Sequence, residues 1–323
     1  MSYTVVVAYG DFPDLTLEEQ ALSDLNVEFK QTHGLDTPEK QKVASEADAL
    51  MVTTHRVPRE LLRRMTRCKI ISRVGTGLDA IDIPAATEYG IWVTNVPDYS
   101  VDEVSSHTIA LLLAQARRLP QMFELTRKGI WDSRSIRPVE RLNGQTLGVI
   151  GYGRIARAVA AKAQGLGLRI LAYDPYIDAA SIEATGAKAV DLDTLLGESD
   201  FVALHTPLTD ATRHIINRAA LSKMKPTAFL INTARGPLID EDALLEAVRS
   251  KRIAGAALDV LTVEPPPADH PLLHEARVLV TPHSAWYSEA ANRDVRVRGA
   301  EEVARVLRGE RPRFTANEIP VRA

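Results

Sequence analysis

The chain has 323 residues, room for two domains rather than one, and 45% of them are hydrophobic, enough to bury substantial cores. A formal net charge of −3 gives no reason to expect nucleic acid or an anionic membrane surface as the main partner. One cysteine, Cys68, excludes an intramolecular disulfide framework. The opening residues lack the charged and apolar regions of a secretory signal, and no apolar run is long enough for a bilayer, so a cytoplasmic protein is expected.

Strand-like runs at 4–8, 49–53, 69–72 and 91–94 alternate with helical patterns at 17–25, 59–65 and 83–89. Such alternation predicts an α/β unit with a parallel sheet. Asn95-Val96-Pro97-Asp98 breaks the rhythm, and a helix with a wide apolar face is expected over 101–118.

The middle of the chain is the most specific. Leu147-Gly148-Val149-Ile150 reads as a buried strand, Gly151-Tyr152-Gly153 as a turn, and Arg154-Ile155-Ala156 as a helix start. A second apolar run over 168–173 ends at Asp174. This strand–turn–helix–strand–acid order grips a dinucleotide. Gly151 permits the tight turn, and Gly153 lets backbone N–H groups approach a pyrophosphate at the helix N-terminus. Ala156 replaces the third glycine, where close packing is the requirement. Asp174 can accept from both hydroxyls of an adenosine ribose and repels a 2′-phosphate, and Pro175 and Tyr176 supply no cation. NAD is therefore expected rather than NADP. The competing reading, a glycine-rich turn without a ligand, leaves the placement of Asp174 unexplained. About half the chain precedes the fingerprint, so another domain is expected first.

Beyond it, strands are predicted at 201–205, 228–232, 254–259 and 278–281, with helices over 154–165, 240–250 and roughly 288–308. Open α/β sheets bind ligands beyond the strand C-termini, where Asp174, His205, Arg235, Asp259 and His283 all fall. The planar fork of Arg235 suits a carboxylate and can polarise a carbonyl, although a structural ion pair also explains an arginine there. His283 can exchange a proton near neutral pH. Glu264 is by itself a loop acid; beside a histidine a carboxylate favours the protonated ring and fixes its orientation. Asp259 can accept from a nicotinamide carboxamide, or cap a helix. His270 and His274 read as surface residues. No HExxH or paired Cys/His spacing occurs, so no metal is expected.

Taken together, Arg73-Val74-Gly75-Thr76-Gly77-Leu78-Asp79, the glycine fingerprint, Asn232-Thr233-Ala234-Arg235-Gly236, Ala257-Leu258-Asp259-Val260 with Glu264-Pro265, and Thr281-Pro282-His283 resemble the NAD-dependent D-2-hydroxyacid dehydrogenases over nearly the full length. The resemblance implies two Rossmann-like or flavodoxin-like parallel-sheet domains, the cofactor domain inserted into the substrate domain. Residues 98–286 would bind NAD, and 1–97 plus 287–323 the substrate. It makes Arg235 the substrate-binding and carbonyl-polarising residue, Glu264 the partner of the histidine, and His283 the proton donor. Substrate contacts fall to Arg73, Val74 and Gly75, with backbone N–H groups over Val74–Gly77 holding the carboxylate. Cofactor contacts fall to Thr76, Thr108, Gly151, Tyr152, Gly153, Arg154, Ile155, Asp174, His205, Thr206, Pro207, Thr212, Thr233, Ala234, Asp259 and Ala285. A homodimer through the cofactor domains is implied as well.

His283-Ser284-Ala285-Trp286-Tyr287-Ser288-Glu289 is similar to the C-terminal-binding-protein branch. By that likeness Trp286 lines the substrate pocket and favours a 2-keto acid with an apolar side chain; a packing residue is the alternative. The same likeness motivates a second function, an NAD(H)-sensing interaction module. Against it stands the complete trio of Arg235, Glu264 and His283.

Overall fold

The computed structural model describes residues 2–319 apart from Asp11 and Pro13. It divides into two compact units, Met1–Tyr99 with Ser288–Ala323, and Ser100–Tyr287. The outermost positions, Met1 and 320–323, lie outside the described residues.

In the first unit, β1 (Tyr3–Val7), β2 (Val27–Gln31), β3 (Ala49–Val52), β4 (Ile70–Arg73) and β5 (Trp92–Thr94) form one parallel sheet in the order β2-β1-β3-β4-β5. This is the flavodoxin-like order. Continuous apolar runs such as Val5-Val6-Val7 arise because both sheet faces are covered. One face packs Val6, Leu50, Val52 and Ile71 against Leu61, Leu62 and Ala85. The other receives the helix Glu289–Leu307, which returns from the far end of the chain onto β3 and β4. Gly299 allows that approach: a Cβ there would lie 3.2 Å from Val74 Cγ2, and Ser72 Oγ donates to the Gly299 carbonyl at 2.9 Å.

A buried ion pair pins the same helix. Arg296 donates to Glu18 Oε1 at 2.8 Å and to Oε2 at 2.7 Å, with side chains 5% and 0% exposed. Tyr9 Oη donates to Glu18 Oε1 at 2.8 Å, and the guanidinium lies 4.8 Å from the Phe12 ring centroid. Burial and then the Glu18 charge push the Tyr9 phenol well above its ordinary range, so it stays a donor.

In the second unit, β6 (Thr146–Ile150), β7 (Arg169–Tyr173), β8 (Lys188–Ala189), β9 (Phe201–Leu204), β10 (Phe229–Asn232), β11 (Gly255–Leu258) and β12 (Val278–Val280) form a parallel sheet in the order β12-β11-β10-β9-β6-β7-β8. Alternate residues face opposite cores: Val202 and Leu204 one way, Phe201 and Ala203 the other. The chain runs outward from β6 to β8 and then crosses back to β9. The reversal puts a crevice beyond the C-termini of β6 and β9, the place where such sheets bind nucleotides.

Several elements differ from the sequence pattern. β2 and the helix Pro38–Ser45 carry too weak an apolar signal to be read, because Val27-Glu28-Phe29-Lys30-Gln31 is a half-exposed edge strand. The helix expected over 17–25 spans only Thr16–Ala21. The helix expected over 101–118 ends at Ala116, where Arg118 turns left-handed (φ +56°) and a second helix, Leu119–Arg127, begins.

Removing one partner of a buried ion pair leaves the other charge uncompensated, a loss of roughly 3–5 kcal/mol. Glu18→Gln is expected to lower unfolding stability by about that amount, measured by denaturant titration.

Candidate active site

Asp174, His205 and Asp259 directly follow β7, β9 and β11; Arg235 and His283 lie three residues past β10 and β12. Parallel pairing places all five on one edge of the second unit's sheet.

At the chain reversal, Gly151 has φ +83°, and a Cβ there would meet the Thr206 backbone nitrogen at 2.7 Å. Only glycine fits. Nothing lies within 4 Å of a Cβ built on Gly153, so the entry to the helix Arg154–Gly165 is open. Tyr152 turns its ring into the core, its hydroxyl 2.6 Å from Thr185 Oγ1. Its N–H donates to Asp174 Oδ2 at 2.8 Å and the Tyr176 N–H to Oδ1 at 2.9 Å, fixing the carboxylate at the turn. Arg154 is exposed and Ile155 half-buried. Across the crevice, burial pushes the His205 imidazole down to about 4, and its buried Nε2 has no partner. Thr212 Oγ1 donates to the Pro207 carbonyl at 2.7 Å and accepts from Thr209 N at 2.8 Å, shaping the loop that begins at Thr206. A glycine turn with no room for a side chain, open space over Gly153 and an orphaned buried nitrogen opposite are features a bound dinucleotide fits.

The trio meets within the same unit. His283 Nδ1 lies 2.5 Å from Glu264 Oε2, and Glu264 Oε1 accepts from Leu261 N at 2.8 Å. Burial would raise the Glu264 carboxyl, but the hydrogen bond and charge of His283, helped by Leu261 N and the charge of Arg235, hold it below its usual value. Asn232 builds the turn that presents Arg235: its Oδ1 accepts from Ala234 N at 2.9 Å, and its Nδ2 donates to the Arg235 carbonyl at 2.8 Å. Gly236 abuts the next loop so closely that a Cβ would fall 2.1 Å from the Leu261 carbonyl carbon.

Asp259 does more than the sequence suggests. Its side chain is 1% exposed and accepts from Thr281 Oγ1 at 2.5 Å, Ser284 N at 3.0 Å and Ala285 N at 2.9 Å. Its carbonyl accepts the His283 N–H at 2.8 Å. Roughly one of a carboxylate's four acceptor positions is left for a carboxamide. Thr108 Oγ1 donates to the Val104 carbonyl and lies 2.9 Å from Thr233 Oγ1, so it underpins Thr233 from within the core. Trp286 is half-buried and packs edge-on against Tyr287.

In the first unit, the Arg73–Thr76 loop leaves β4. The Val74 N–H donates to the Val52 carbonyl and the Gly75 N–H to the Arg73 carbonyl, so two amides of the expected carboxylate cradle are already engaged. Gly75 has φ +148°, and the Arg73 guanidinium occupies the space a Cβ would need. Thr76 Oγ1 donates to the Val96 carbonyl at 3.1 Å.

One sequence reading is corrected: His270 is half-buried, 3.4 Å from Glu241 Oε2, rather than on the surface. The roles of Asn232, Gly236 and Thr281, which the motifs contain without a stated use, and His107 altogether emerge only from the structure, since ordinary residues at strand ends and on a helix carry no spacing signal. Among the described residues no group of three His, Cys, Asp or Glu side chains could hold a metal ion, and no helix is long and apolar enough to cross a membrane.

Residues 109–285 match the family model of the D-isomer specific 2-hydroxyacid dehydrogenase NAD binding domain. The chain belongs to this family. Its second unit therefore contains the family's NAD-binding domain. Over 298 residues, 91% of the chain, it is 42% identical to a D-3-phosphoglycerate dehydrogenase of Methanocaldococcus jannaschii and covers 56% of that protein. It spans about half the length of the curated relatives it matches. A D-lactate dehydrogenase of Aquifex aeolicus, solved with NAD and lactic acid, is 30% identical with a TM-score of 0.87, covering 95% of this chain and 96% of that one. An acyclic imino acid reductase solved with NADPH and D-Arg is 29% identical, also with a TM-score of 0.87, covering 97% and 100%. None of these three names favours the narrower corepressor branch.

His205 makes stability pH-dependent. With a folded pKa near 4 against an ordinary 6.5, the unfolded chain binds more protons between those values. Stability is therefore complete above about pH 6.5 and falls as the pH drops toward 4. His205→Asn is expected to flatten this part of the Tm-against-pH curve.

Proposed function

We propose that the chain is an NAD-dependent oxidoreductase interconverting a small 2-keto acid and its D-2-hydroxy acid. The observation that carries this reading is the 2.5 Å contact between His283 Nδ1 and Glu264 Oε2, on the strand-end edge that also bears Arg235 and the dinucleotide turn. NAD(H), when bound, supplies or takes up the hydride at the substrate C2. Gly151, Gly153 and the N-terminus of the helix they open hold its pyrophosphate, and Asp174 its adenosine ribose. The Asp174 charge favours NAD over NADP.

Arg235 binds the substrate carboxylate and carbonyl and stabilises the charge that grows on the carbonyl oxygen during reduction. With Nδ1 occupied by Glu264, His283 presents Nε2 to the substrate, donating its proton in reduction and accepting one in oxidation. Glu264 stabilises the imidazolium and fixes the ring. Trp286 adds an apolar wall. The lactate and phosphoglycerate names of the relatives support a small hydroxy acid as the substrate class.

We further infer a cytoplasmic homodimer joined through the cofactor domains. The helix Leu119–Arg127 has no buried residue; its Phe123 is 61% exposed and Trp131, just past its end, 93%, apolar surface suited to a second copy.

With NADH and a panel of 2-keto acids, turnover is expected, with NADH preferred over NADPH. His283→Ala and Arg235→Ala should each lower kcat/KM by at least ~100-fold. Tight NADH binding without turnover on any keto acid would favour the sensing module instead. Trp131→Glu should convert dimer to monomer in light scattering.

A further inference from the structure

The geometry points to His107 as a positioning residue for the active site, acting through Thr281 and Asp259 on the turn that carries His283. This rests on the oxidoreductase reading above.

The hydrogen-bond directions are fixed by counting protons. Thr281 has one hydroxyl proton and donates it to Asp259 Oδ1 at 2.5 Å. The contact of 3.0 Å between Thr281 Oγ1 and His107 Nε2 can then only run from the ring. His107 carries its proton on Nε2 and donates it to Thr281. The same nitrogen lies 3.6 Å from Asp259 Oδ1, with the two side chains 25% and 1% exposed. One chain of bonds thus runs from His107 Nε2–H through the Thr281 hydroxyl to the Asp259 carboxylate. The carboxylate in turn receives the Ser284 and Ala285 amides.

The end of this chain decides where His283 points. Three consecutive amides, those of His283, Ser284 and Ala285, converge on Asp259, one on its carbonyl and two on its carboxylate. That convergence holds His283 at φ +50°, a conformation few non-glycine residues adopt. Rotation of the Asp259 carboxylate would release two of the three amides. The Thr281 hydroxyl, held in place by His107 Nε2–H, opposes that rotation, because it donates to Oδ1, the oxygen that also takes the Ser284 N–H.

The helix is a sound base for this role. His107 lies in Val101–Ala116, which packs on β10 and β11, and Gln115 Nε2 donates to the Ala256 carbonyl at 2.6 Å. The next residue, Thr108, contacts Thr233 two positions before Arg235. Two neighbouring helix residues therefore brace both catalytic strand ends, His107 the His283 side and Thr108 the Arg235 side.

The test compares His107→Leu, which removes the donor, with His107→Gln, which keeps an N–H at similar reach. Thr281→Val breaks the chain one bond further on. Steady-state kinetics with saturating NADH and hydrogen–deuterium exchange of the segment 281–287 are read together. For His107→Leu and Thr281→Val, kcat should fall roughly ten- to hundred-fold with substrate KM little changed. Exchange of 281–287 should accelerate, while that of β6 stays at its wild-type rate. His107→Gln should restore both. Wild-type kcat and exchange in both disrupting variants would overturn the proposal. So would a Gln variant as impaired as the Leu variant, or exchange raised equally across the second unit. If the wild-type protein turns over no keto acid, the oxidoreductase reading fails, and the exchange of 281–287 still decides whether His107 positions this turn.

Discussion

A carboxylate shut away from water must find its hydrogen bonds inside the protein, and Asp259 finds them in the turn just past β12. Holding a non-glycine residue in the left-handed region costs roughly 1–3 kcal/mol. Hydrogen bonds to a charged group contribute about 1.5–3 kcal/mol each, so the two amides given to the Asp259 carboxylate offset the strain at His283. Relaxed backbone at that position would turn the imidazole away from Glu264. The partnership of His283 and Glu264 thus depends on a buried group that does not belong to the pair.

The glycines act in the same spirit, through space rather than charge. Gly151 lets the dinucleotide turn pass against the Thr206 backbone, and Gly236 lets the Arg235 loop lie against Leu261. Each brings two strand-end loops to contact distance. A methyl at Gly236 would displace the segment whose Leu261 N–H holds Glu264. Arg235 and Glu264 are thereby tied to one another through main-chain packing as well as through charge.

Legibility in the sequence followed burial. Strands covered on both faces, such as Val5-Val6-Val7 and Leu147-Gly148-Val149-Ile150, announce themselves as apolar runs. β2 does not, because an edge strand alternates and its Glu28 and Lys30 look like loop residues. The dinucleotide turn and Asp174 were readable because their spacing is local. Arg235 and His283 were readable by type and by their place after apolar runs, but the roles of their motif neighbours Asn232 and Thr281, and the part of distant His107, were not. A threonine or asparagine at a strand end has many uses, and only its partners show which one holds.

The sequence by itself determined the α/β alternation, the NAD fingerprint and the candidates at strand ends, because each depends on residues a few positions apart. Tertiary structure alone decided that Asp259 spends most of its carboxylate on the His283 turn, that the Val74 and Gly75 amides are engaged, and that His107 reaches Thr281 across 174 positions. Those facts depend on where distant segments meet. Hydrogen-bond capacity is fixed by residue type, but which partner takes it up is settled only when the sheet brings the strand ends together.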